Sequence, residues 1–75
     1  MIEHMEWQLD DERSLEYNIG AAMGRFTRKT GLIPEICWLH KDVEIPSIAG
    51  MVMEHDKQVL EGHIWIGRKE KENGK

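Results

Sequence analysis

The stretch from Ser47 to Gly67, S-I-A-G-M-V-M-E-H-D-K-Q-V-L-E-G-H-I-W-I-G, constrains the fold most. Two runs rich in apolar, β-branched and aromatic residues flank Asp56-Lys57, and that pattern reads as a β-hairpin. Asp-Lys lacks the glycine that a two-residue hairpin turn needs for positive φ. A loop from His55 to Gln58 keeps the same register. His55 then faces Gln58, Met53 faces Leu60, Met51 faces Gly62 and Ala49 faces Ile64. The other side pairs Glu54 with Val59, Val52 with Glu61, Gly50 with His63 and Ile48 with Trp65. The first face is mostly apolar and expects a helix. The second mixes Ile48, Val52, Val59 and Trp65 with two carboxylates and a histidine.

The remaining chain supplies covers for such a hairpin. From Met1 to Leu9, Met5, Trp7 and Leu9 alternate with His4, Glu6 and Gln8, the period of a half-buried strand. Asp10-Asp11-Glu12 breaks that period with candidate helix caps, and Ser14 is another. Leu15, Ile19, Ala22, Met23 and Phe26 then recur at helical spacing. Arg28-Lys29, Gly31 and Pro34 mark the helix end, so the helix runs from about Asp11 to Thr30. Glu35 to His40 reads as a strand with Ile36, Trp38 and His40 on one side and Cys37 and Leu39 on the other. Pro46 restricts 43–45 to an edge or connector. The expected fold is α+β: a single helix packed on one face of a small, mostly antiparallel sheet, in the order β-α-β-β-β. Residues 1–67 form one domain, and the charged residues 68–75 form a disordered tail.

A chain of 75 residues is marginal as an isolated domain. Short chains are stabilised by disulfides, metals or oligomerisation. One cysteine, Cys37, excludes an internal disulfide. If one helix covers one face, Trp38, Ile48, Val52, Val59 and Trp65 form an apolar patch larger than monomers usually expose. A homodimer, joined through sheet faces or edges, resolves this. Opposite the helix's core side, Tyr17, Gly20, Ala21 and Gly24 make a small-residue strip, a second candidate contact. The interface residues are therefore Tyr17, Gly20, Gly24, Trp38, Val52, Val59 and Trp65.

Chemistry-bearing patterns are sparse. There is no nucleophile elbow, phosphate loop or dinucleotide fingerprint. Cys37 sits in an apolar run and reads as core. His40 and His63, with Glu61 and Glu54 on the same hairpin face, are the elements of a zinc-type ligand set, though without a closely spaced ligand pair. Arg25, Arg28, Lys29 and Lys41 cluster near the helix end in a chain whose net charge is −4. That balance disfavours nucleic acid, which rewards a basic surface.

The sequence thus leads to a non-enzymatic homodimeric interaction module with no cofactor. It is expected in the cytoplasm, since there is one cysteine and neither a signal peptide nor an apolar run long enough to span a bilayer. Two alternatives follow from the remaining features. One is a nucleic-acid-binding accessory protein using Arg25, Arg28, Lys29 and Lys41. The other is a metal- or small-ligand-binding domain whose site is shared between subunits around His40 and His63.

Overall fold

The computed structural model describes residues 2–69. Five elements follow one another: β1 (Ile2–Gln8), α1 (Leu15–Thr30), β2 (Ile36–Leu39), β3 (Val52–His55) and β4 (His63–Lys69). The strands form one mixed sheet in the order β1-β4-β2-β3, and α1 packs with it as an α+β domain. Strand β4 reaches Lys69, beyond the expected boundary at 67. Residues 70–75 of the expected tail lie outside the described residues.

The helix begins at Leu15 rather than Asp11 because its first turn is capped by Ser14. The Ser14 hydroxyl accepts the Tyr17 N–H at 3.0 Å. Asp10 is used one turn earlier: its carboxylate accepts the Glu12 N–H at 3.0 Å and its carbonyl accepts the Arg13 N–H at 3.1 Å. The end lies where sequence signals place it. Gly31 adopts φ 76°, a left-handed conformation that suits glycine, and its N–H donates to the Thr27 carbonyl at 2.8 Å.

Asn18 fixes how the helix leaves β1. It is 2% exposed, on a helix whose other buried residues are Ile19, Ala22 and Phe26. Its side-chain oxygen accepts the Asp10 N–H at 2.8 Å, and its amide donates to the carbonyls of Asp10 and Ser14 at 3.1 and 2.9 Å. A buried amide is tolerated because its donors and acceptor are satisfied.

The hairpin expected over Ser47–Gly67 does not form. Strands β3 and β4 are separated by β2, which pairs parallel with β3 and antiparallel with β4. The pairings of Met53 with Leu60, Val52 with Glu61 and Ile48 with Trp65 are therefore absent. Two features explain the outcome. First, the parallel β2–β3 pair needs a crossover of about a dozen residues, and 40–51 provides one. Its Val43, Ile48 and Met51 pack on the helix-side core instead of extending a strand. Second, the turn at 56–59, closed by the Val59 N–H on Asp56 O at 3.1 Å, does not return the chain alongside β3. Asp56 accepts the Gln58 N–H on its side chain at 2.8 Å and donates its own N–H to Leu39 O at 2.9 Å. The chain then crosses the end of β2 through 56–62 and enters β4 after Gly62, at φ 80°.

The sheet separates two clusters. On the helix side, Ile19, Ala22 and Phe26 meet Cys37, Leu39, Ile64 and Ile66, with Met5, Trp7 and Met53 packed around them. On the far side, Ile36, Trp38 and Val59 form a smaller cluster with Trp65 against it. The alternation read from 1–9 and 35–40 survives in both clusters.

Asn18→Ala leaves the Asp10 N–H without its partner, while the Asp10 and Ser14 carbonyls keep the N–H groups of Arg13 and Asn18. It is expected to lower unfolding stability by about 1–2 kcal/mol, measured by urea denaturation. A loss below about 0.5 kcal/mol would show that water replaces the amide without penalty.

Candidate functional site

The face away from the helix is the region where the sequence concentrated its candidate residues. Here β4 contributes Trp65, paired with Trp38 of β2 on one side and Glu6 of β1 on the other. The Trp38 and Trp65 rings meet edge-on, with centroids 6.4 Å apart and planes at 72°. His4 of β1 stacks on Trp65 at 4.8 Å and 25°, and meets Trp38 edge-on at 6.0 Å. Offset stacks and T-shaped contacts are the favoured arrangements for rings with polarised faces.

This face is only partly closed by the described residues. The 56–62 connection lays Val59 against Ile36 and Trp38, so Trp38 is 6% exposed and Val59 2%. Both belong to the chain's own second cluster. Val52 on the outer strand β3 stays 54% exposed, Leu60 on the connection is 62% exposed, and Trp65 is half-buried. Of the sheet residues expected at an interface, Val52 and Trp65 are the ones a partner can reach. Ile48 lies on the helix side instead.

The helix strip presents an exposed Tyr17, with the Arg13 guanidinium 4.7 Å above its ring. Gly20 is exposed and has no atom within 4 Å of the position a Cβ would take, and at Gly24 the nearest is Arg28 Nη1 at 3.8 Å. Neither glycine is required by close packing within the chain.

The basic residues do not converge. Arg25, Arg28 and Lys29 are exposed along the last turns of α1. Lys41 lies beyond the far end of β2, its Nζ 3.7 Å from Asp42 Oδ1. Arg68, assigned to the tail from sequence, is instead a strand residue. It donates to Ile33 O at 2.7 Å and to Glu35 Oε2 at 3.1 Å, fastening β4 to the loop after the helix.

His40 and His63 come next to each other in register, one step beyond the paired Leu39 and Ile64. Each uses Nδ1 locally. His40 Nδ1 accepts the Asp42 N–H at 3.2 Å and lies 4.0 Å from Asp42 Oδ2. His63 Nδ1 donates to Glu61 O at 3.1 Å. Among the described residues no three His, Cys, Asp or Glu side chains gather as a metal would require. Cys37 is buried in the helix-side core, and desolvation pushes its thiol from 9.0 up to about 12. A thiol held so far above neutral pH is not a nucleophile. No described helix is long and apolar enough to cross a membrane.

No family model, curated protein or solved structure matches this chain.

Residues of β1 were missed as site components. The alternation in 1–9 already put His4 and Glu6 on the face opposite Met5 and Trp7. Only the pairing of β1 with β4 shows that this face is the one carrying Trp38 and Trp65.

Three measurements test these placements. His4→Ala uncovers the Trp65 ring and is expected to shift tryptophan emission to longer wavelength while the helical circular dichroism stays unchanged. An unaltered spectrum would mean that His4 does not shield the indole. For Cys37, the folded thiol ionises at higher pH than the unfolded one, so its contribution is fully present below about 9. That contribution declines as pH rises toward about 12. Cys37→Ala is expected to flatten the fall in stability over that alkaline range, read from thermal melts. Native Cys37 is expected to react with a thiol reagent only after unfolding.

Proposed function

We propose that this chain is a non-enzymatic interaction module that works as a homodimer in a reducing, cytoplasmic setting. The observation that supports it is the unequal covering of the sheet. The helix and the 40–51 crossover pack on one face. The other face has a small cluster under one loop, with Val52, Leu60 and part of Trp65 left to solvent. A short chain with a single small core per face gains stability when a second copy covers such a surface. Apolar side chains rimmed by polar ones are the usual anatomy of a contact site. The lone buried thiol suits a reducing compartment.

Sedimentation equilibrium of the purified chain is expected to give twice the monomer mass in the micromolar range. A monomer throughout that range, at physiological salt, would remove the homodimer reading.

A further inference from the structure

The outer edge of β1 has a backbone pattern that fits a second copy of itself. Leu9 donates its N–H to Gly62 O at 2.8 Å, and the β1–β4 register continues through Trp7↔Ile64 and Met5↔Ile66. The odd-numbered residues of β1 therefore exchange hydrogen bonds with β4, and the even-numbered ones turn their N–H and C=O outward. Nothing among the described residues takes those outward groups at His4, Glu6 and Gln8, because β1 is the edge of the sheet. An edge with a row of free donors and acceptors is a template for another strand.

We infer that two copies join by antiparallel pairing of their β1 strands about Met5, making one continuous sheet across a two-fold axis. The inference rests on the homodimer reading above but places its contact at the β1 edge, which leaves Val52 on the opposite edge outside it. Charge selects the register. A two-fold axis through the sheet opposes positions of equal parity, so the outward-facing even residues meet one another. Centring on Glu6 would place two carboxylates directly opposite. Centring on Met5 pairs the full strand and sets Glu6 of each copy opposite His4 of the other. An imidazole N–H opposite a carboxylate can donate to it, whereas like charges directly opposite destabilise a pair. Glu6 is exposed and has no ion-pair or hydrogen-bond partner among the described residues. His4 stacks on Trp65 and meets Trp38 edge-on, and its nitrogens make no hydrogen bond among the described residues. In this arrangement the two aromatic faces lie side by side on the same surface of the joined sheet.

The test measures the dimer dissociation constant by sedimentation for the full chain and four variants. Glu6→Pro removes an outward N–H and the carboxylate while leaving the β1–β4 ladder its hydrogen bonds, since an edge strand tolerates proline whose nitrogen faces solvent. It is expected to weaken dimerisation by about tenfold or more, with the tryptophan spectrum retained. His4→Glu sets like charges opposite and is expected to do the same, and the double variant His4→Glu with Glu6→Lys to recover affinity to within about threefold of the parent. The double variant guards against a folding defect, because a damaged strand would not be rescued by a second change. Met5→Cys brings two thiols together at the axis, and mild oxidation is expected to give a covalent dimer while Cys37 stays buried. A parent chain that is monomeric overturns both readings. A parent dimer that is unaffected by Glu6→Pro and His4→Glu, with no cross-link through Met5→Cys, overturns the edge contact and leaves the homodimer standing.

Discussion

The fold depends on β4 being hydrogen-bonded along both edges. Its neighbours are β1 and β2, both antiparallel to it, so the first strand and the strand after the helix are held in place by the last. Its side chains divide the molecule. Ile64 and Ile66 enter the core beneath α1, and Trp65 between them enters the cluster on the far side. A central strand with apolar residues in both directions is favoured because each face has something to bury against. The same alternation would expose Trp65 if β4 lay at an edge.

That division accounts for the unequal faces. One amphipathic helix supplies a single apolar stripe, and the 40–51 crossover adds Val43, Ile48 and Met51 to the same side. Among the described residues, the far side receives only the 56–62 loop and the His4 ring. The chain therefore spends two covering segments on one face and a fragment of one on the other. The aromatic stack of His4, Trp65 and Trp38 is what the smaller side has in place of a second helix.

Local structure was legible where a single residue type carries a mechanism. Gly31 and Pro34 marked the helix end, and the alternations in 1–9 and 35–40 sorted Met5, Trp7, Cys37 and Leu39 from His4 and Trp38. The topology was not legible. Adjacent strands in sequence usually pair, and Ser47–Gly67 has the composition of a hairpin. What decides against it is long-range: Val59 finds Trp38, and Ile48 and Met51 find the helix-side core. The absence of a positive-φ residue at Asp56-Lys57 was the one local sign. The candidate surface was legible for Trp38 and Trp65, and Asn18 and Arg68 escaped because their partners, Asp10 and Glu35, are set by tertiary placement.

The pairing of β1 with β4 joins the two ends of the described chain. That pairing closes the largest loop between described strands and so carries the largest chain-entropy cost, and β1 is also the terminal strand at the sheet edge. Its amides are then the ones most readily released by local opening rather than by global unfolding. The same strand carries His4, the ring that shields Trp65. Detachment of β1 would bare Trp65 together with the Met5 and Trp7 side of the core, giving a transient species whose exposed strand β4 is the most aggregation-prone surface this chain can show.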